Sequence, residues 1–142
     1  YSYVLATISG SILLNYFHIF LTGSARKAAK VDYPNAYATH EDASKDPAKF
    51  AFNCAQRAHQ NFLEQLPIFL STMLIGGLNY PVAMSVMGAA WIVGRVLYGI
   101  GYKNSPHNST GQGRNKGAFA AIVQLPMLGL TLWSGYQFAM GL

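Results

Sequence analysis

A stripe of polar side chains runs through an otherwise apolar stretch of the sequence. Four of them recur at spacings of four, four and three residues, which places them on one face of a helix: Asn53, Arg57, Asn61 and Glu64. An alternation of cation, amide and anion suits a small zwitterionic ligand, because arginine binds a carboxylate, glutamate binds an ammonium group and asparagine binds amides. The alternative is a structural role in helix packing, although Arg57 and Glu64 are two turns apart and we expect them to pair poorly.

A second polar cluster lies later in the chain, where Arg95 is followed by Tyr98 and Tyr102 at spacings of three and four. All three side chains therefore share a helix face. Near a helix end, the tyrosines could instead belong to an interfacial aromatic belt. Arg95 needs a partner if its helix crosses a membrane, and either Glu64 or a bound anion would provide one.

The elements that carry these clusters are predicted from the distribution of charge. Only 11% of the 142 residues are charged and 51% are hydrophobic, which excludes a disordered chain and a highly charged nucleic-acid-binding module. Residues 1–25, 65–94 and 117–142 contain no Asp, Glu, Lys or Arg. Because about 20 apolar residues cross a bilayer, we predict a single all-α membrane domain over residues 1–142. Its predicted spanning helices are residues 1–25, 48–78, 82–103 and 117–141.

Eight of the ten cationic residues lie in two polar segments, which follow the first and the third predicted helices. These segments emerge on the same side of a four-helix protein, so the positive-inside rule places both of them in the cytosol. A cleaved signal peptide is the competing interpretation of residues 1–25, but no cations precede the apolar run. The net charge of +5 suits an anionic leaflet and does not require nucleic acid as a partner. The chain has one cysteine, and no two of its histidines are four residues apart, so we predict no metal site.

Two long motifs within the predicted helices are specific enough to indicate a family. Residues 52–64 read FNCAQRAHQNFLE, and residues 91–102 read WIVGRVLYGIGY. The chain closely resembles the membrane-associated proteins in eicosanoid and glutathione metabolism (MAPEG), in particular their branch of type-three microsomal glutathione transferases. The similarity extends from the first predicted helix, through residues 25–34, to the start of the fourth.

The resemblance implies an integral membrane four-helix bundle that assembles as a homotrimer, with glutathione bound between neighbouring subunits toward the cytosolic side. It also implies a location in the endoplasmic reticulum (microsomal) membrane. Arg57 matches the arginine that holds a glutathione carboxylate, and Glu64 matches the acceptor for the γ-glutamyl ammonium group. Together with the polar stripe, the resemblance assigns these residues to glutathione binding: Arg26, Asn53, Arg57, His59, Asn61, Glu64, Arg95, Tyr98 and Tyr102.

Arg114 is the predicted catalytic residue. Relatives place an arginine near the start of the last helix, or in the loop before it, where it stabilises the glutathione thiolate. A guanidinium stays charged and offers several donors to a sulfur anion. Lys116 is the alternative, because residues 103–114 form a longer segment than the counterparts in the family.

The implied activity is conjugation of glutathione to lipophilic electrophiles, reduction of lipid hydroperoxides by glutathione, or both, with no metal. Activity of the leukotriene-synthase type stays open, because Gln65 stands where several eicosanoid-making relatives have a tyrosine. Two other classes also stay open: a non-catalytic scaffold that presents lipid to a partner, and a small transporter that uses the intramembrane charges as a polar pathway. The expected partners are glutathione, a lipophilic second substrate, membrane lipids and further copies of the chain.

Overall fold

Four long helices and one short helix make up most of the protein. The computed structural model describes all 142 residues. Its helices are α1 (Ser2–Ala29), α2 (His40–Lys45), α3 (Pro47–Asn79), α4 (Pro81–Lys103) and α5 (Phe119–Met140). A 3₁₀ turn, Gln112–Gly117, precedes α5. α3 and α4 each pack against all the other long helices, so the chain is all-α with these two helices at its centre.

The first helix is longer than the charge pattern predicts. α1 continues past residue 25 to Ala29, and Lys30 closes it in the left-handed conformation. Arg26 and Lys27 lie in its last turn, where their positive charges interact favourably with the carbonyl end of the helix. These cations therefore stabilise the end of a helix instead of beginning a loop.

The connection between α3 and α4 is a single residue, Tyr80. α3 runs through Gly76 and Gly77, and both glycines are buried. Gly77 lies directly against Val4 of α1, so the absence of a side chain permits close packing of the two helices. Pro81 then starts α4, at a position where the missing N–H removes no helical hydrogen bond.

The two polar segments meet at one end of the long helices. His107 Nε2 donates to the carbonyl oxygen of Ala43 (2.9 Å), and Asn108 Nδ2 donates to that of Ser44 (3.1 Å). At the opposite end, next to the turn between α3 and α4, Asn79 Nδ2 donates to Gln137 Oε1 of α5 (3.0 Å). The long helices therefore alternate in direction.

The 3₁₀ turn packs along the second half of α4 because glycines let the two backbones approach. A Cβ atom on Gly113 would overlap the carbonyl oxygen of Gly101. A Cβ atom on Gly117 would overlap the carbonyl oxygen of Gly94. This close approach holds the residues of the turn against the face of α4.

Apolar side chains fill the interior and also cover much of the outside. The buried core consists of Val4, Leu14, Phe62, Phe69, Met73, Met84, Trp91, Ala120 and Met127. Phe69 and Trp91 stack at its centre, with ring centroids 4.1 Å apart. Leu13 and Phe20 of α1 are more than 70% exposed, and Leu132 of α5 is 66% exposed. An extended apolar exterior of this kind suits a partner surface or a lipid environment.

Three of the long helices, α1, α4 and α5, are long and apolar enough to cross a membrane. α3 is longer than any of them, but its first half carries the polar stripe. Its composition alone does not mark it as a span. The crossing by α3, and the four-helix membrane bundle that depends on it, therefore stays a prediction.

Candidate functional site

The apolar face of α3 is turned into the protein. Cys54, Ala55, Ala58 and Phe62 are all buried. The polar stripe lies on the other side of the helix, where its side chains are wholly or partly exposed.

Arg57 and Glu64 form an ion pair along the surface of α3. Arg57 Nη1 donates to Glu64 Oε1 (3.0 Å), and the two side chains are 46% and 55% exposed. The prediction that these residues pair poorly is wrong. Seven residues complete almost two full turns, so both side chains project in nearly the same direction, and their combined length spans the rise of about 10 Å between them.

Arg95 is buried beside the stripe and contacts an amide instead of an acid. Its Nη2 donates to Asn61 Oδ1 (2.8 Å), and its guanidinium lies over the Tyr98 ring, 4.4 Å from the centroid. Only 5% of Arg95 is exposed. Glu64, one of its two predicted partners, is paired with Arg57.

Tyr98, Tyr102 and Arg114 continue this surface toward the polar end of the protein. The two tyrosine rings pack edge to face with centroids 5.7 Å apart, and the Arg114 guanidinium lies 5.3 Å from the Tyr102 centroid. Arg114 Nη1 also donates to the carbonyl oxygen of Thr110 (2.5 Å), which orients the guanidinium. Arg114 is half-buried by these contacts, whereas Lys116 is exposed.

The charged side chains on this side of the protein lie close enough together to interact electrostatically. The Tyr98 hydroxyl lies within electrostatic reach of three guanidinium groups, from Arg57, Arg95 and Arg114. Glu64 is the carboxylate beside them, so the local charge is positive and favours anionic ligands. We refer to this set as the α3–α4 surface: Arg57, Asn61, Glu64, Arg95, Tyr98, Tyr102 and Arg114.

Arg26 and His59 lie on a different part of the chain. Together with Gln60, they line a groove of about 460 Å³ between α1 and α3, the α1–α3 groove. Arg26 Nη1 donates to the carbonyl oxygen of Asn35 (2.7 Å), and His59 Nε2 lies 3.3 Å from Asn15 Oδ1. The structure therefore places Arg26 and His59 apart from the α3–α4 surface and does not bring all the predicted site residues together within one chain.

Asn53 holds a loop in place. Its Oδ1 accepts a hydrogen bond from the Ala38 amide (2.8 Å), and its Nδ2 donates to the Ala38 carbonyl oxygen (3.0 Å). These bonds leave only one N–H and one lone pair of the side-chain amide for a ligand. The contact seen in the structure thus fixes the segment before α2.

Tyr37 is carried on the same segment and was not among the predicted site residues. Its hydroxyl donates to Gln60 Oε1 in the α1–α3 groove. Burial raises the pKa of Tyr37, so the hydroxyl remains a donor well into the alkaline range. No sequence pattern signals this residue, because the segment that carries it has no helical or strand period.

The replacement Asn53→Ala is expected to loosen this segment. Loss of two hydrogen bonds lowers the free energy of unfolding by about 1–3 kcal/mol. Hydrogen exchange should show faster exchange of the Ala38 amide, because that amide loses its acceptor. The control Asn104→Ala changes an exposed asparagine and should leave the exchange rate unaltered. An unchanged Ala38 amide in Asn53→Ala would contradict the loop-fixing role.

A cavity of about 250 Å³ lies between α3, α4 and α5, next to Arg95. Gln124 of α5 lines this cavity and is a candidate site residue that was not predicted from the sequence. Its amide side chain within an otherwise apolar helix could have indicated it. No group of three or more His, Cys, Asp or Glu side chains lies close enough together to hold a metal ion. The polar residues that line the cavity are Asn61, Gln65, Arg95, Tyr98 and Gln124.

A comparison with protein families identifies the group to which these helices and motifs belong. The sequence model of the MAPEG family matches residues 4–136, which is nearly the whole chain. The members of this family are membrane proteins that bind glutathione, and they include glutathione transferases, peroxidases and leukotriene synthases. The match agrees with the three long apolar helices of the structure. This protein is therefore a membrane protein that belongs to the MAPEG family.

Proposed function

We propose that this protein is a membrane-bound enzyme that activates glutathione as a thiolate. The thiolate conjugates lipophilic electrophiles or reduces lipid hydroperoxides. Family membership supports this proposal, as does the resemblance of residues 52–64 and 91–102 to the type-three microsomal transferases. The observation that carries it is the arrangement of charges on the α3–α4 surface.

The α3–α4 surface matches the charges of glutathione, which has two carboxylates and one ammonium group. Arg57 and Glu64 are about half exposed and make side-chain hydrogen bonds only to each other. A ligand that has both a carboxylate and an ammonium group can therefore replace both halves of the pair. Arg95 provides a second cation nearby, and the hydroxyls of Tyr98 and Tyr102 can bond to the peptide groups.

Four membrane crossings follow from the order of the helices if the three apolar helices cross. α1 and α4 both end at the polar end of the protein, and α4 begins at the opposite end. α3 connects these two ends, so it must cross as well. The positive-inside rule then places the polar segments and Arg114 in the cytosol, as expected for an enzyme of the endoplasmic reticulum membrane.

Assembly as a homotrimer would bring the α3–α4 surface of one subunit next to the α1–α3 groove of another. Arg57 lies eight residues beyond Lys49, or about 12 Å inside the predicted cytosolic boundary. Exposing a charged side chain to lipid costs at least about 2.5 kcal/mol, so a neighbouring subunit is expected to cover this part of α3. If that subunit presents its α1–α3 groove, Arg26 and His59 join the site, and glutathione binds between subunits.

Thiolate formation is the chemical step that the protein must promote. An ordinary thiol has a pKa of about 8.5, so only a few per cent is ionised at neutral pH. The contacts with Tyr102 and Thr110 hold the Arg114 guanidinium where it can stabilise a sulfur anion. Lowering the thiol pKa to about 6.5 corresponds to ~2.7 kcal/mol and makes the thiolate the main species.

The thiolate can then react in two ways. In conjugation, the sulfur electron pair forms a C–S bond to an electrophilic carbon, and the displaced electrons leave with the leaving group or with an oxygen that takes up a proton. In peroxide reduction, the sulfur attacks the terminal peroxide oxygen, the O–O bond breaks, and the alcohol departs after taking up a proton. A second glutathione then reduces the resulting sulfenic acid, which gives glutathione disulfide and water.

A titration with glutathione at neutral pH tests the proposal without any second substrate. For the detergent-solubilised protein we expect saturable binding, with ultraviolet thiolate absorbance that grows with occupancy. Binding without thiolate would favour a non-catalytic scaffold of the same fold. No binding, together with ion flux in liposomes, would favour a transporter and reject the proposal.

A further inference from the structure

The segment between α1 and α2 is attached to one side of the polar stripe at two consecutive residues. Asn53 exchanges two hydrogen bonds with the backbone of Ala38. The next contact is made by Tyr37, which donates its hydroxyl proton to Gln60 Oε1. Asn53 and Gln60 are seven residues apart, so both project from the same side of α3. The segment therefore lies along this side of the helix and directs the Tyr37 hydroxyl toward it.

Gln60 lies between the two halves of the ion pair. It follows Arg57 by three residues and precedes Glu64 by four, so its side chain is a neighbour of both on the helix surface. The Tyr37 hydroxyl, which bonds to this amide, lies within electrostatic reach of Arg57 and Glu64. The segment before α2 thus brings a phenol beside the ion pair that we assign to the amino-acid end of glutathione.

The hydrogen bond to Gln60 determines what Tyr37 can offer a ligand. A tyrosine keeps its proton at neutral pH, and here that proton is directed at the amide oxygen. The groups that remain are the lone pairs of the phenol oxygen, which accept hydrogen bonds. The bond is only partly buried, so a ligand on the surface of α3 can reach this oxygen. Tyr37 therefore presents an uncharged acceptor beside the ion pair.

The ammonium group of glutathione needs such an acceptor. It has three N–H donors. In the proposed binding mode it replaces Arg57 as the partner of the Glu64 carboxylate. That carboxylate has two oxygens, so at least one N–H of the ammonium group requires a further partner. The phenol oxygen of Tyr37 is an acceptor on the same side of the helix.

We propose that Tyr37 selects the substrate: its phenol oxygen accepts a hydrogen bond from the γ-glutamyl ammonium group, and Gln60 positions that oxygen. This inference rests on the proposed function, because it takes the ion pair as the place where the amino-acid end of glutathione binds. It makes the protein selective for thiols with a free α-amino group. Thiols in which that amino group is absent lose the contact, although they keep the carboxylate that Arg57 binds.

Two ligands that differ by one amino group test the contact without relying on catalysis. Glutaryl-cysteinylglycine is glutathione without its amino group, so it keeps both carboxylates and the thiol. In the full-length protein in detergent, Tyr37→Phe should weaken binding of glutathione about tenfold in a calorimetric titration. Binding of glutaryl-cysteinylglycine should change less than about twofold, because this ligand has no ammonium group to lose a partner. The aromatic ring stays in place, so the variant removes only the hydroxyl.

Tyr33→Phe is the matched control. Tyr33 lies on the same segment and is 79% exposed, and its hydroxyl makes no hydrogen bond in the structure. This replacement should leave the affinities for both ligands unchanged. Equal effects of Tyr33→Phe and Tyr37→Phe on glutathione binding would overturn the specific role of Tyr37.

A double-mutant cycle tests whether Gln60 acts through Tyr37. Gln60→Leu removes the acceptor of the phenol proton, so it should weaken glutathione binding and leave binding of glutaryl-cysteinylglycine nearly unchanged. The double variant Tyr37→Phe/Gln60→Leu should bind glutathione no more weakly than Tyr37→Phe alone, because the two side chains act as one unit. Additive losses would show that Gln60 does not act by positioning the phenol.

Two further results would overturn the assignment. If Tyr37→Phe weakens both ligands equally, the hydroxyl binds a group that both ligands carry or only holds the segment. If it leaves glutathione affinity unchanged, Tyr37 does not contact the ligand. Failure of the proposed function is a separate result: no thiolate in the glutathione titration, with the Tyr37-dependent preference for the ammonium group intact, supports the contact alone. Absence of glutathione binding in the unmodified protein would overturn both.

Discussion

The variant Arg114→Ala is expected to bind glutathione and fail to ionise it. Without the guanidinium, the pKa of the bound thiol returns from about 6.5 to about 8.5. The thiolate fraction at neutral pH then falls roughly 25-fold. Because the thiolate is the nucleophile, kcat/KM for any second substrate should fall at least as far. The affinity for glutathione at neutral pH should fall only about fourfold, which is the part that thiolate stabilisation contributes by linkage. Arg57 and Glu64 remain in place to bind the rest of the ligand.

The pH dependence of thiolate absorbance gives the sharpest measurement of this effect. In the unmodified protein saturated with glutathione, absorbance should rise with a midpoint below neutral pH. In Arg114→Ala the midpoint should move upward by about two pH units, so that alkaline buffer restores both the thiolate and the activity. A variant that lost activity through misfolding would not recover in this way.

Lys116→Ala is the matched control, because Lys116 lies in the same 3₁₀ turn as Arg114 and is also a cation. It is exposed, whereas Arg114 packs on the Tyr102 ring, so its removal should leave the midpoint where it is. If the midpoint shifts in Lys116→Ala and not in Arg114→Ala, then Lys116 is the residue that stabilises the thiolate. An intact thiolate in both single variants would remove both residues from the mechanism.

Much of the fold could be predicted because membrane helices leave a strong signal in composition. The uncharged run 117–142 marks α5 closely, since a charged side chain inside a membrane is costly. The uncharged run 65–94 instead covers the second half of α3 and the first part of α4, and Pro81 marks where α4 begins. The end of α1 could not be placed from charge, because Arg26 and Lys27 are as suitable for the last turn of a helix as for a loop. The short helix α2 was not predicted, although the sequence contains a signal for its start. Thr39 stands three residues before an acidic residue, Asp42, and in the structure its side chain accepts a hydrogen bond from the Asp42 amide (3.1 Å).

The candidate site could be predicted as a set of residues but not as a geometry. Helical spacing places Arg57, Asn61 and Glu64 on one face, and the structure agrees with that placement. Spacing does not reveal which side chains pair, because long side chains can bridge two turns, as Arg57 and Glu64 do. Nor does it reveal that His59 belongs to the α1–α3 groove, since that depends on how α1 packs against α3.

The variant Arg57→Ala is expected to lose glutathione binding itself. Its removal takes away the cation for a carboxylate and leaves Glu64 without its partner, so that the remaining anion repels the ligand. A hydrogen bond to a charged group contributes about 1.5–3 kcal/mol. With the repulsion added, Kd should rise about 100-fold, as measured by calorimetric titration.

Loss of binding in Arg57→Ala can be distinguished from loss of structure. An exposed ion pair contributes only about 0–1 kcal/mol to stability, and both side chains here are about half exposed. The melting temperature in detergent should therefore change little. Arg57→Lys keeps the charge but not the two-pronged geometry, so it should bind with intermediate affinity. Full glutathione affinity in a folded Arg57→Ala protein would contradict glutathione binding by Arg57 and favour a structural role for the polar stripe.

A glutathione analogue that lacks the γ-glutamyl amino group separates the two halves of the ion pair. Glu64→Gln should weaken binding of glutathione, because the ammonium loses its carboxylate, but it should not weaken binding of the analogue. Arg57→Ala should weaken binding of both ligands, because both keep the carboxylate. If Glu64→Gln instead weakens both ligands equally, Glu64 acts by orienting Arg57, and the 3.0 Å contact between them persists in the complex. The four affinities thus decide whether glutathione replaces the ion pair or binds beside it.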